Sequence, residues 1–75
     1  MNNTRRKQIS KIVENIACLR DELEALKDEE QECFDNMPYG IQCSERGEIS
    51  EGAVSSLEYA IDSIDTAIDS MNEVI

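Results

Sequence analysis

The side chains that could perform chemistry in this chain are three cysteines and seventeen carboxylates, and no histidine accompanies them. Without histidine the chain lacks the usual general base and the commonest nitrogen ligand for metals. Cys18, Cys33 and Cys43 lie 15 and 10 residues apart, so no C-x-x-C pair is present. This spacing favours reduced thiols in a reducing compartment. We predict no catalytic residue and no zinc site.

The carboxylates do not form a recognisable metal-binding motif either. Three of them share one helix face at spacing i, i+4, i+7: Asp28, Glu32 and Asp35. A di-iron bundle would also need Glu-x-x-His pairs. An EF-hand loop starting at Asp35 would place Met37 and Arg46 at its third and twelfth positions, which excludes it. We predict a solvated acidic face with no metal and no cofactor; the alternative is a weak site for a divalent cation.

Charge is distributed unevenly along the chain. Residues 1–20 carry five cations and one carboxylate, a net charge of +4; residues 21–75 carry two cations and sixteen carboxylates, a net charge of −14. A field of that sign repels nucleic acid and anionic membranes and attracts basic proteins. No apolar run approaches the roughly 20 residues of a membrane span, and no apolar region follows the charged start. We predict a cytoplasmic protein that binds neither membranes nor, directly, nucleic acid.

A heptad pattern runs through the first half of the chain. The a positions are Ile9, Ile16 and Leu23, and the d positions are Ile12, Leu19 and Leu26. This repeat predicts an amphipathic helix over residues 4–36, with Thr4 as its N-cap and the a and d columns facing a partner helix. Val13 widens the apolar stripe at one end.

The second half of the chain is patterned more broadly. Its main stripe alternates at spacings of 3 and 4: Val54, Leu57, Ile61, Ile64, Ile68, Met71 and Ile75. A flanking column recurs every seven residues: Ala53, Ala60, Ala67 and Val74. Three apolar positions in seven are more than one partner helix covers. We predict a helix over residues 45–74, with Ser44 as N-cap, that faces both its hairpin partner and something else.

The segment between the helices predicts a turn over residues 37–44. Pro38 disfavours helix at its predecessor, and Gly40 can adopt a left-handed conformation. Centring the turn near residue 40 gives an antiparallel two-helix hairpin in which Ile16 lies near Ile64 and Leu23 near Leu57. A hairpin of this length has little core, so we predict an all-α homodimer forming a four-helix bundle. A higher oligomer, or a monomer awaiting another partner, are the alternatives.

Two sets of residues are candidates for contacts with partners. For the oligomer seam we predict Ala60, Ile64, Ala67 and Met71. For binding another protein we predict the residues near the turn: Glu30, Phe34, Tyr39, Ile41 and Arg46. Glu30 is the first charge in the a column, and it is either a solvated end of the stripe or a polar layer paired with Arg46. The apolar residues of the turn form either a structural cap or an exposed anchor.

The turn and the second helix resemble a group of small acidic proteins from phages, prophages and conjugative elements of Gram-positive bacteria. The similarity rests on Phe34-Asp35-Asn36-Met37-Pro38, then on Ser44-Glu45-Arg46-Gly47-Glu48, then on the repeated Ala-Ile-Asp-Ser of residues 60–63 and 67–70. Tyr39, Gly40 and Cys43 depart from the polar turn of that group. The resemblance implies a mobile-element context in a host cell and a helical hairpin; it implies no activity.

Three functions are compatible with these observations. The first is a non-enzymatic accessory protein that binds another protein of its host or phage, with inhibition of a host defence system as one form. The second is an acidic mimic of nucleic acid that blocks a nucleic-acid-binding protein. The third is an oligomeric sponge for a nucleotide signal, based only on Arg5, Arg6, Arg20 and Arg46.

Overall fold

The computed structural model describes residues 1–75, and nearly all of them are helical. Helix α1 spans Asn3–Asp35, the single turn α2 spans Tyr39–Gln42, and α3 spans Glu45–Asn72. The prediction of an all-α chain is confirmed. The chain is elongated, with principal extents of 58 × 15 × 11 Å. None of its helices combines the length and apolarity that crossing a membrane requires.

The ends of the two long helices differ from the predicted caps. The N-cap of α1 is Asn2, whose side-chain oxygen accepts a hydrogen bond from the Arg5 amide at 2.8 Å. The prediction of Thr4 as N-cap is wrong, because the extended backbone at Asn2 lets the helix begin one residue earlier. Ser44 is the N-cap of α3 as predicted, but its hydroxyl donates to the Ile41 carbonyl oxygen instead of accepting from α3.

The turn between α1 and α3 contains helical structure of its own. The Pro38 carbonyl oxygen accepts hydrogen bonds from the amides of Ile41 at 2.9 Å and Gln42 at 3.0 Å, which closes α2. No residue has a positive φ, so the prediction of a left-handed Gly40 is wrong: Gly40 lies inside this helical turn. The Phe34 carbonyl oxygen accepts hydrogen bonds from the Met37 amide at 3.0 Å and from the Gln42 side chain at 3.0 Å, and the second of these joins α2 to the end of α1.

Gly47 allows α3 to start close to α2. It is buried, and a Cβ atom built on it would lie 2.6 Å from Cα of Gln42 and still closer to the Gln42 carbonyl group. Gly52, one turn further on, has open space around the same position. The structure therefore requires a glycine at residue 47 and not at residue 52.

Helix α3 runs back along α1, and a few side chains form the small core. Val54 and Ile61 are the buried apolar residues, 5% and 4% exposed. Near the turn, the Ser50 hydroxyl donates to Glu30 Oε1 at 2.6 Å. This contact puts residues 30 and 50 at the same level, which is the antiparallel register that the sequence predicted. Since each residue rises about 1.5 Å along a helix, Leu19 then lies at the level of Ile61, one residue from Ala60.

The side of α1 that faces α3 differs from the prediction. The a column faces α3, but the second facing column is e, which comprises Val13, Arg20, Lys27 and Phe34. The d residues Ile12, Leu19 and Leu26 are instead 50%, 62% and 57% exposed. The prediction of an a and d contact within the hairpin is therefore wrong. The reason is that Arg20 and Lys27, whose side chains are only 23% and 18% exposed, lie along the contact with α3.

Candidate interaction surfaces

One arginine joins the two long helices. Arg20 Nε donates to Asp65 Oδ1 at 2.9 Å, and Arg20 Nη2 donates to Asp65 Oδ2 at 3.1 Å. Its remaining nitrogen contacts Glu24, one turn further along α1, and Asp21 at 3.4 Å. Side chains on a helix lean towards its N-terminus, so Arg20 reaches a residue about five positions beyond its own level on α3. The pair marks one flank of the contact between α1 and α3.

The two cations on this flank are held by carboxylates, which shifts their protonation equilibria. The hydrogen bond to Asp65 raises the pKa of Arg20 above its ordinary value. The hydrogen bond to Asp28, 2.7 Å away, raises the pKa of Lys27, and the charges of Asp28 and Glu58 add to the effect. A cation whose pKa is raised by folding stabilises the folded state fully at any pH below its pKa in the unfolded chain. This stabilisation is lost as the pH rises through the raised pKa of the folded state. These pairs therefore remain intact throughout the neutral range.

The opposite flank carries what we call the uncharged face. Going round each helix at 100° per residue, Leu19 lies on the other side of the a column from Arg20. Ala60 likewise lies on the other side of Ile61 from Asp65. The d column of α1 and the Ala column of α3 therefore share one side of the molecule. The uncharged face comprises Ile12, Leu19, Leu26, Ala53, Ala60 and Ala67.

No charged side chain interrupts this face between its first and last residues, although the chain carries 24 charged residues. The rim on α3 is formed by small hydroxyl side chains: Ser56, Ser63 and Ser70. The rim on α1 is formed by Asn15, Glu22 and Glu29. Beyond this rim, on the outer side of α1, lies an open depression that is lined by Asn15, Cys18, Leu19, Asp21 and Glu22. The face is therefore an exposed, ridged apolar surface about 20 Å long from Ile12 to Leu26.

The flank that contains Arg20 and Asp65 carries most of the carboxylates, and we call it the acidic face. Its carboxylates on α3 are Glu48, Glu51, Glu58, Asp62, Asp65 and Asp69. Its carboxylates on α1 are Asp21, Glu24 and Asp28. No cation pairs with Asp62 or Asp69, and both are exposed. No three of the cysteine and carboxylate side chains converge closely enough to hold a metal ion.

The residues predicted for partner binding lie near the turn in two different environments. Tyr39 is 81% exposed and Ile41 36%, and Arg46 is exposed without an ion-pair partner. Glu30 and Phe34 are half-buried in the contact with α3. Glu30 forms the polar layer that was one of the two interpretations, but its partner is Ser50 and not Arg46.

The residues predicted for the oligomer seam divide between two sides of α3. Ile64 and Met71 are half-buried and belong to the columns that pack on α1. Ala60 and Ala67 lie on the uncharged face, and Ala67 is exposed. Sequence reasoning missed the contribution of Ile12, Leu19 and Leu26, because it assigned the d column to the hairpin. The signal that could have found them is the pair of cations at Arg20 and Lys27, which marks the e column as the partner of the carboxylates on α3.

All three cysteines are free and exposed, and none lies in the contact between the helices. Comparison of the chain with protein-family models, with curated proteins and with solved structures found no match. The function is therefore argued from the two faces of the hairpin and from the residues of the turn.

Proposed function

We propose that the chain is a non-enzymatic accessory protein of a phage or another mobile element, and that it acts by binding a protein in the cytoplasm of its host. The observation that supports this function is the separation of the surface into an uncharged face and an acidic face. In this proposal, the uncharged face is covered by a second copy, giving a homodimeric four-helix bundle. The acidic face then remains outside, available to a basic partner.

The uncharged face supports dimerisation because the hairpin alone buries little. Only four of 75 residues are buried, and four large aliphatic side chains are at least half exposed, three of them on the uncharged face: Ile12, Leu19 and Leu26. Small domains with so little core are usually stabilised by a partner chain. A contact between two neutral surfaces also avoids bringing the carboxylates of two chains with net charge −10 together.

The acidic face favours one specific form of this function, the mimicry of nucleic acid. Carboxylates on α3 repeat at spacings of three, four and seven residues, so they form a row of negative charge along one side of the helix. A protein that normally holds phosphates with lysine and arginine would be attracted to such a row. Inhibition of a host defence protein that binds nucleic acid would be one outcome of this mimicry.

The experiment is capture of host proteins on the immobilised wild-type protein, followed by competition. A mimic should release its partner when double-stranded DNA is added and when salt rises to about 0.5 M, because exposed charge pairs are screened there. D62N/D69N should retain less partner than the wild type. The control E22Q/E45Q removes the same number of charges from two exposed residues outside the acidic face and should retain as much partner as the wild type.

A partner that stays bound in the presence of DNA, in high salt and on the D62N/D69N variant would contradict mimicry. The chain would then bind its partner protein through a surface other than the acidic face. The nucleotide-sponge hypothesis gains no support from contacts within the chain. Arg20 is held by Asp65, and Arg5 and Arg46 lie at opposite ends of the hairpin. Thermal denaturation with a panel of cyclic nucleotides tests it directly, because a bound ligand must raise the melting temperature.

A further inference from the structure

We infer that two copies pair through the uncharged face in an antiparallel arrangement, with Leu19 of each copy on the two-fold axis and the two turns at opposite ends of the bundle. This inference rests on the proposed bundle and specifies its interface. Stacking two hairpins with two-fold symmetry allows two arrangements. In one, α1 packs on α1 of the second copy and the turns lie apart; in the other, α1 packs on α3 and the turns lie together.

The area of the face is close to that of a small stable interface. It spans two helices of about 10 Å diameter, and the side chains at both ends extend its roughly 20 Å from Ile12 to Leu26 to about 30 Å, so it offers about 600 Å² per copy. Standard interfaces bury about 800 Å² on each partner. The face thus suits an interface with a second copy of this chain, which would bury Leu19 from both sides.

The apolar residues of the face are arranged symmetrically about its centre. Leu19 lies midway between Ile12 and Leu26, seven residues from each. On α3, Ala60 lies within one residue of this level, midway between Ala53 and Ala67. A two-fold axis through this level therefore packs Ile12 of each copy beside Leu26 of the other, and brings the two Ala columns together. Because alanine side chains are small, the two α3 helices can approach closely along these columns, and a larger side chain would not fit between them.

The apolar side chains can pack in either of the two arrangements, but the distribution of charge favours the antiparallel α1–α1 arrangement. Helix α1 carries a net charge of +4 up to Arg20, whereas residues 21–35 carry eight carboxylates against Lys27, a net charge of −7. Antiparallel pairing of two α1 helices places the basic half of each copy beside the acidic half of the other. The other arrangement places the two turns together, and residues 23–57, which contain the turn, carry a net charge of −7 in each copy.

One intermolecular ion pair follows from the antiparallel register. With Leu19 on the axis, Lys11 of one copy lies about two residues along the helix from the level of Glu29 of the other. Both residues belong to the outer flank of the α1–α1 contact, and their side chains are long enough to meet there. The two-fold axis repeats this pair at the other end of the interface.

The test is the mass of the oligomer across a concentration series, measured by light scattering in the presence of reductant. L19D should raise the dimer dissociation constant about 30-fold or more, because it places two carboxylates at the centre of the interface. Y59D is the matched control: it adds the same charge at a residue that is 77% exposed on another side of α3, and it should leave the constant within about threefold. Circular dichroism establishes that both variants remain helical.

The charge swap tests the direction of pairing. K11E should weaken the dimer, E29K should weaken it as well, and K11E/E29K should recover most of the loss in an antiparallel contact. A wild-type monomer would overturn both the proposed bundle and this interface. A dimer that L19D leaves intact would overturn the interface and keep the bundle. If L19D breaks the dimer but K11E/E29K does not recover the loss caused by K11E and E29K alone, the antiparallel arrangement is overturned.

Discussion

Arg20 on α1 and Asp65 on α3 are joined by two hydrogen bonds, and this pair lies where position e of α1 meets its neighbour. Position e of the heptad is brought towards α3, and position d is turned outwards. The consequence is that the aliphatic column through Leu19 becomes a surface instead of a core. The hairpin therefore has a charge pair on one flank and, on the other, the apolar face through which the proposed dimer forms.

Removing the carboxylate of this pair should lower stability by more than removing an unpaired one. D65N should reduce the thermal midpoint by a few degrees, because it weakens two charge-assisted hydrogen bonds across the helices. The matched control is D69N, four residues along α3, which removes one charge from an exposed side chain. Equal midpoints for the two variants would show that the Arg20–Asp65 pair does not stabilise the hairpin.

The two glycines of α3 should respond in opposite directions to the same substitution. G47A should lower the free energy of unfolding by about 2 kcal/mol, because the added methyl group collides with backbone atoms of Gln42. G52A has open space and should raise it by up to about 1 kcal/mol through helix propensity. Urea denaturation followed by circular dichroism measures both at one protein concentration. A stabilising G47A would contradict the close approach of α2 and α3.

The contact between Glu30 and Ser50 should behave as a buried polar pair. S50A should cost about 1 kcal/mol, because Ser50 is 4% exposed and its loss leaves Glu30 without its donor. E30M/S50A should recover part of this cost, since neither polar group then remains in the contact. A double-mutant cycle on E30M, S50A and the combined variant gives the coupling. Strict additivity would mean that the two side chains do not interact in solution.

The exposed residues of the turn can be changed without loss of folding. Y39S/R46S should keep the helical content and shift the free energy of unfolding by less than about 0.5 kcal/mol, because both side chains lie in solvent. A matched change in the packed part of the turn is F34S, which should unfold a measurable fraction of the chain. If Y39S/R46S unfolds the protein, the turn is a structural cap and not a surface available to a partner.

Much of the architecture could be predicted from the sequence, because it depends on periodicity and on turn residues. The 3–4 spacing of Ile and Leu predicts two long helices, and Pro38 with the surrounding glycines predicts the break between them. The register followed from the position of the turn, and the contact between Glu30 and Ser50 agrees with it. These features follow from local sequence and chain geometry.

The rotation of α1 could not be predicted in the same way. Columns a, d and e lie within about 100° of one another around the helix, so the Ile and Leu residues alone do not determine which two columns face α3. The columns that face α3 are seen only in the long-range contacts, such as that of Arg20 with Asp65. For the same reason, two of the four residues predicted for the oligomer seam, Ile64 and Met71, pack on α1 instead.

In the proposed dimer, the uncharged face is covered by a second copy of this chain. Native mass spectrometry of the wild-type protein, purified under reducing conditions so that its three exposed cysteines stay free, measures this pairing. We expect a principal species at twice the chain mass of 8.5 kDa, which shifts to the single-chain mass in L19D but not in Y59D. A wild-type protein found only at the mass of one chain would rule out the dimer.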